Sequence, residues 1–507
     1  MKLLAFYLGH HDSNLALFDG DRLRYIKSER AFQAKHHHAT LNWVAQVCEA
    51  AHFVADAIAF SDGNRNNLGV CDPGRLFQQV SGFSLFGRGV PAYCVDHHFA
   101  HTLSAWPVRP IREADYGVTI DGRGDRSYRI SVVANPGSED PVPLLQSMDH
   151  AYCRVFNLIG QALGLRGLEI DFAGKVMGAN AYGTVDEEFV ALNRNEEILH
   201  NPLTLLDRVP WRGKTLSEHQ EFFDFASPSF RDWLASVHRL LGDFIGEIFA
   251  KYVPRNASVI YAGGAAQNTI YNERLNNEYP NLTIPPHCYD GGISLGCLEF
   301  LRRRFGLPEF CTKGFPFWQD DPDGGFARQQ TIARVAEHIV SGKIVGWFQG
   351  RGEIGPRALG HRSILFDARR ADGKEYLNRT VKRREHWRPY AGSILSPLMD
   401  ELVATSGPSP YMLRAMPVRE EVRWKIPAVV HVDGTSRLQT VAPGDRETES
   451  FYTLISLVQE ISGSPAVLNT SMNADGKPIL STPEQALELW RQTPMDVLCI
   501  GDTLWEK

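Results

Sequence analysis

The densest run of chemistry-bearing side chains lies at residues 351–388, where nine Arg and two Lys stand against two Asp and three Glu. The window is strongly basic inside a chain whose formal net charge is -6, so the positive charge is concentrated rather than spread. It opens on Gly350-Arg351-Gly352-Glu353-Ile354-Gly355-Pro356-Arg357-Ala358-Leu359-Gly360. Glycines let a backbone come close to a ligand, and each guanidinium presents a planar fork that matches a pair of phosphate oxygens. Further on, Lys382 and Arg388 flank Glu385. Three readings compete: a solvated basic face, a nucleic-acid patch, and a compact phosphate pocket for a nucleotide or acyl phosphate. The Gly and Pro punctuation disfavours the first, and an acidic remainder would repel a long polyanion. The pocket is favoured. Arg437, read in the turn Asp433–Arg437 after a strand at Ala428–Val432, could complete a polyphosphate site, as could Asn469 and Asn473 where a strand from Pro465 runs into a polar loop. Each is also an ordinary turn residue.

A second cluster is Val95-Asp96-His97-His98-Phe99-Ala100-His101. His97 and His101 are four apart, so on a helix they share one face and can hold one metal ion together. Two imidazoles need at least one further ligand. Asp121 and Asp290, each before a glycine turn, are the candidates; the alternative is a pair of histidines that cap or pack near a surface helix. His36-His37-His38 also looks metal-like, but no remote partner is evident, and it is read as structural or exposed.

These residues need positioning. Residues 3–8, Asn14–Phe18 and Leu23–Ile26 read as strands, with a turn at Gly20-Asp21. The opening recurs at Tyr116–Ile120, the turn 121–124 and Tyr128–Val133, followed by a strand at Val259–Tyr261. Helical patterns fall around 38–52, 97–106, 231–251 and 293–304. Strand, turn, hairpin and helices met twice point to a duplicated α/β unit of the actin-like kind. Residues 307–326, rich in Pro, Gly, Asp and aromatics, read as a linker or a long surface loop. A helix at Thr331–Val340 and a strand at Ile344–Phe348 then begin a second unit, which divides the chain at 1–310 and 327–507.

The bulk figures set limits. The 507 residues exceed what one core usually organises. Apolar residues at 43% and charged residues at 22% are ordinary for a globular protein. The acidic balance gives no general attraction to nucleic acid or an anionic membrane. Eight cysteines without a C-x-x-C pair suggest reduced thiols in the cytosol. No signal-peptide core and no apolar run of about 18 residues is present, so the expectation is a soluble, cytoplasmic protein.

Together the motifs resemble the O-carbamoyltransferase family of antibiotic and nodulation-factor biosynthesis, over nearly the whole chain. The resemblance is carried in order by H-H-x-x-H at 97–101, Gly-Lys-Val-Met-Gly at 174–178, G-P-R-A-L-G-x-R-S-I-L at 355–365, V-K-x-R-E-x-W-R-P at 381–389 and N-T-S-x-N at 469–473. It implies an α/β protein whose N-terminal duplicated actin-like domain is of the threonylcarbamoyl-transferase type. The C-terminal α/β domain would resemble threonylcarbamoyl-adenylate synthase. The implied reaction is an ATP-dependent O-carbamoyl transfer from carbamoyl phosphate, through carbamoyl-adenylate, to a hydroxyl of a small-molecule acceptor. The resemblance implies His11, Lys382 and Arg357 as catalytic residues. Arg388, Arg437, Asn268, Lys175, Asn469 and Asn473 would bind the cofactor, and His97, His101, Asp121 and Asp290 a metal. The implied cofactors are ATP, Mg²⁺ and one transition metal (Fe²⁺, Zn²⁺ or Mn²⁺), with no nucleic acid and no membrane; a homodimer is compatible with this. Transfer of threonylcarbamoyl to tRNA and a non-catalytic actin-like ATP-binding regulator are the alternatives. Two departures stand out: Asp475 follows N-T-S-x-N where the family usually has a basic residue, and Asn180 follows the Lys-Val-Met-Gly run in place of the usual pattern.

Overall fold

The computed structural model describes the chain apart from residues 63–67, 69–70, 73, 86, 123, 125–126, 208–209, 212–213 and 216–219. Of the turn expected at 121–124, Arg123 lies outside the described residues.

Two sheets in the first three hundred residues share one strand order. In the first, Leu3–Tyr7 pairs antiparallel with Asn14–Phe18, which pairs antiparallel with Leu23–Lys27. On its other side Leu3–Tyr7 runs parallel to Ala57–Ser61, which runs parallel to Ala92–Val95; Phe77–Val80 adds an antiparallel edge. In the second, Tyr116–Ile120 pairs antiparallel with Ile130–Ala134 and then Val142–Ser147. On the other side come the parallel strands Val259–Ala262 and Leu282–Thr283. Hairpin, central strand, then two parallel strands occurs twice, and this repeated topology is the duplicated actin-like unit. The central strands are short runs buried on both faces, as parallel sheets covered by helices require.

The helix Ile293–Arg304 packs on the first sheet and crosses His97–Leu103 at very close range. A Cβ on Gly296 would lie 1.9 Å from the Ala100 carbonyl oxygen, so only glycine permits the approach. The 25-residue helix Pro228–Tyr252 starts on a Ser227 cap with Pro228 in its first turn and buries most of one side against the second sheet.

The C-terminal part is built on a third, eight-stranded mixed sheet. Its inner strands are Val345–Phe348, Arg362–Asp367, Ala391–Leu395, Thr435–Val441, Ala466–Ser471 and Val497–Ile500. The strand expected at Ala428–Val432 is absent. There the backbone turns, Val429 N–H bonding to Ile426 and His431 N–H to the Thr435 carbonyl, and the strand begins at Thr435. Arg437 therefore projects from a strand rather than a turn, beside Ala391 in the ladder. Residues 307–326 form no helix or strand of more than one residue, yet they are not simply solvated: the Asp321 carboxylate is buried against Arg362 at 3.2 Å.

Candidate functional site

The helix His97–Leu103 follows directly on the strand Ala92–Val95, and Asp96 caps it by accepting from Phe99 N–H at 2.9 Å. His97 and His101 thus share one buried face. Asp121 leaves the end of Tyr116–Ile120, and Asp290 opens the short turn ahead of Ile293. His97 Nε2 lies 3.2 Å from Asp121 Oδ2 and 3.5 Å from Asp290 Oδ1. His101 Nε2 lies 3.2 Å and 3.3 Å from the same two oxygens. Four ligand atoms within 4.8 Å of one another converge on one point, so the four residues proposed from spacing do meet. The oxygens facing away are tied: Asp290 Oδ2 accepts from Tyr7 O–H at 2.6 Å, and Asp121 Oδ1 accepts from the N–H groups of Gly122 at 2.7 Å and Gly264 at 3.0 Å. Such outer bonds orient metal ligands. Two imidazoles and two carboxylates fit Fe²⁺, Zn²⁺ or Mn²⁺.

His11 stands at the rim, with Nδ1 2.9 Å from Asp12 Oδ2 and 3.6 Å from Asp290 Oδ2. Burial alone would lower its pKa, but Asp290 and Asp12 hold it above the ordinary histidine value. Of the two readings of His36, structural or exposed, the structural one fits, and the remote partner the sequence did not show is now evident. His36 Nδ1 lies 2.9 Å from Asp12 Oδ2 and its Nε2 3.0 Å from Asp171 Oδ1. Nothing local in the sequence announces that pair, because its members are 135 residues apart.

The arginines gather on the opposite side. Burial, followed by the charges of Arg357, Arg384 and Arg388, pushes the Arg437 pKa well below that of a free guanidinium. Arg357 is lowered to about 10 by burial and by Arg388. Arg384, half-buried and 4.1 Å over the Tyr390 ring, is lowered to about 10 by desolvation. Burial of like charges together is unfavourable unless an anion joins them, and the Nε atoms of Arg357 and Arg437 have no hydrogen-bond partner. Glu385 meets Arg388 at 3.4 Å and Lys175 at 3.3 Å. Lys382 ends its helical segment with Nζ bonded to the Ser471 carbonyl at 2.7 Å and Asn473 Oδ1 at 2.7 Å. Burial and the nearby Arg384 and Arg388 depress its pKa strongly.

Two residues named for the cofactor have other structural duties. Asn268 caps the helix Thr269–Glu278, its Oδ1 accepting from Ile270 and Tyr271 N–H, and its Nδ2 meets His238 Nε2. Asn469 is buried and donates to the Ala358 carbonyl and Ser393 Oγ, so it supports the arginine loop from beneath. Two residues the spacing did not mark are Arg384, inside the recognised motif, and Glu353. The buried Glu353 Oε1 accepts from the N–H groups of Leu359, His361 and Arg362 and fixes the shape of that loop.

The arginine loop packs on the segment that leads into Asp290. Arg357 feels Cys288 and Tyr289, the residues just before Asp290, and a Cβ on Gly355 would come within 2.7 Å of the Pro286 carbonyl. The strap that holds Lys175 is also tied to the C-terminal part: Trp387 donates to the Lys175 carbonyl at 3.0 Å and His431 to the Gly178 carbonyl at 2.8 Å.

A duplicated actin-like unit with a His–His–Asp–Asp cluster, joined to an α/β lobe with an arginine cluster, defines the class. Residues 88–298 match the family model described as Carbamoyltransferase N-terminus and residues 336–507 the one described as Carbamoyltransferase C-terminus. The chain belongs to the carbamoyltransferase family. Nodulation protein U of Sinorhizobium fredii is 30% identical, over 81% of this chain and 78% of that protein. An uncharacterized protein of Synechocystis is 33% identical, over 81% and 76%. Nodulation protein NolNO of Sinorhizobium fredii is 29% identical over 82% of this chain, which spans only 64% of that protein. Among solved structures, component A of the Acidaminococcus fermentans (R)-2-hydroxyglutaryl-CoA dehydratase is similar over 60% of this chain and 99% of that chain, at 13% identity and a TM-score of 0.37. Among the described residues no helix is long and apolar enough to cross a membrane.

Proposed function

We propose that the protein is an ATP-dependent O-carbamoyltransferase, with carbamoyl-adenylate made at the arginine cluster and its carbamoyl group passed to a hydroxyl at the histidine–aspartate cluster. The observation that carries this reading is the group of half-buried guanidiniums at Arg357, Arg384, Arg388 and Arg437. There one carboxylate, Glu385 at 3.4 Å from Arg388, stands against four cations, and the Nε atoms of Arg357 and Arg437 have no hydrogen-bond partner, so further anions are called for. A nucleotide triphosphate supplies them. Residues 327–507 would form the activating domain and residues 1–310 the transferring one.

In the first half, carbamoyl phosphate gives its phosphoryl group to water as phosphate. The resulting carbamate oxygen attacks the α-phosphorus of ATP, and pyrophosphate leaves. Arg357, Arg388 and Arg437 neutralise charge on the phosphates as it shifts toward the leaving group, where fixed donors in a dry site act most strongly. Lys382, held by Ser471 and Asn473, adds a cation, Lys175 holds Glu385 away from the phosphates, and Mg²⁺ is expected to accompany the triphosphate. In the second half, the acceptor hydroxyl attacks the carbamoyl carbon, the bond to AMP breaks, and the hydroxyl proton goes to His11 Nε2. His97, His101, Asp121 and Asp290 would hold a metal ion, whose contribution is Lewis-acid polarisation of the carbamoyl oxygen or an AMP phosphate oxygen.

Pyrophosphate release from purified protein, ATP and carbamoyl phosphate tests the reading. Release that requires both substrates supports it; carbamoylation of an acceptor with carbamoyl phosphate alone overturns it. The acceptor belongs to hydroxylated small molecules, and a mass-shift screen of such metabolites identifies it.

A further inference from the structure

Among the titratable groups outside the two clusters, one chain alternates imidazole and carboxylate from the reacting centre outward: His11, Asp12, His36, Asp171. Asp12 Oδ2 is shared by His11 Nδ1 and His36 Nδ1, each at 2.9 Å. A carboxylate oxygen accepts, so both nitrogens are N–H donors. His36 Nε2 meets Asp171 Oδ1 at 3.0 Å, which makes His36 a donor at both ring nitrogens and therefore an imidazolium. Burial opposes that charge, but Asp12 and Asp171 raise its pKa to about 10. Asp12 and His36 both adopt left-handed backbone, at φ 56° and 53°, uncommon for residues with a side chain. Bonds from Asn14 Nδ2 to the Asp12 carbonyl at 2.7 Å and from Ser13 N–H to the His37 carbonyl at 3.2 Å hold the two turns against each other.

We propose that His36 and Asp171 are positioning residues for the transfer step: they fix the Asp12 carboxylate so that it locks His11 as the Nδ1–H tautomer, with the lone pair on Nε2 toward the acceptor. The role rests on the reading of His11 as the base. A carboxylate behind a catalytic imidazole selects its tautomer and orientation; here that carboxylate is itself aimed by a second imidazole and a second carboxylate. With His36 removed, Asp12 Oδ2 loses one of its two donors in a site where Oδ1 has none, and the carboxylate is free to rotate away from Nδ1.

The test reads ring-nitrogen resonances of the full-length protein labelled with ¹⁵N-histidine, assigned with His11→Ala. Recorded on the alkaline side of the His11 transition, the wild-type spectrum should show His11 protonated at Nδ1 and bare at Nε2. In His36→Ala and Asp171→Ala the two His11 nitrogens should move toward averaged values. His36→Asn, whose amide nitrogen replaces Nδ1 as donor to Asp12, should restore the single tautomer and guards against misfolding of the alanine variant. A single Nδ1–H tautomer retained in both alanine variants, or a mixture already present in the wild type, overturns the proposal. No substrate is present in this experiment, so failure of carbamoyl transfer to depend on His11 would sink the functional reading without moving the tautomer result.

Discussion

Arg437 lies in a conflict that only a ligand resolves. Its half-buried charge lies near three others of the same sign, which costs stability in the empty protein. Replacing it with Met should therefore stabilise the ligand-free chain, by about 1 kcal/mol or more, and abolish the rise in Tm that MgATP gives the wild type. Thermal scans with and without MgATP check both; a less stable variant that still responds to ATP would contradict the assignment. The His36–Asp171 pair makes a pH prediction with the opposite logic. His36 is raised from 6.5 to about 10, so its contribution is complete below pH 6.5 and fades as pH rises through about 10. Asp171 is lowered from 3.8 to about 2, so its contribution is complete above pH 3.8 and fades as pH falls through about 2. The stability lost in Asp171→Asn, about 2 kcal/mol for a hydrogen bond between charged groups, should be constant from pH 5 to about 6.5 and shrink as pH rises through about 10, down to what the Lys35 ammonium on the same Asp171 oxygen still supplies. Denaturant melts across that range measure it.

The helix His97–Leu103 shows how an element sets a site. Seven residues cannot sustain a helix unaided, and this one depends on its Asp96 cap and on the tight crossing with Ile293–Arg304 at Gly296. Asp96→Ala should cost about 1 kcal/mol and weaken Zn²⁺ or Mn²⁺ binding by disordering His97, as calorimetric titration would report; unchanged affinity would show that the cap does not position the ligand. At this scale the sequence was informative where a strand is a short apolar run closed by a polar turn. Asn14–Phe18, Tyr116–Ile120 and the helix Ile293–Arg304 fall where the pattern places them. It misled at Ala428–Val432, whose valines have strand propensity but whose backbone bonds are made in turns. The metal-type cluster was legible because two of its members share a helix face and the others precede glycine turns. The His36–Asp171 pair, the helix cap at Asn268 and the burial of Asn469 were not, since each depends on which distant segment the fold brings alongside.

At the scale of the molecule, the lobes are locked rather than loosely tethered. Arg414 forms a buried two-pronged pair with Glu273 at 2.7 and 3.2 Å, and Asn272 Nδ2 bonds the Leu413 carbonyl at 2.9 Å. Arg414→Ala leaves a buried carboxylate unpaired and should cost about 3–5 kcal/mol, read as a lowered midpoint in denaturant; a loss below about 1 kcal/mol would mean the contact is solvated. Trp387 adds to the lock by packing into the core of the second sheet. A fixed interface would suit the proposed mechanism, in which two half-reactions exchange an unstable intermediate. The direct test is rapid quench of the His11→Ala protein with ATP and carbamoyl phosphate, followed by mass spectrometry. The expected product is carbamoyl-adenylate, with pyrophosphate formed in equal amount and neither formed by Arg437→Met. Carbamoyl groups that reach an acceptor while no adenylate or pyrophosphate forms would contradict the account.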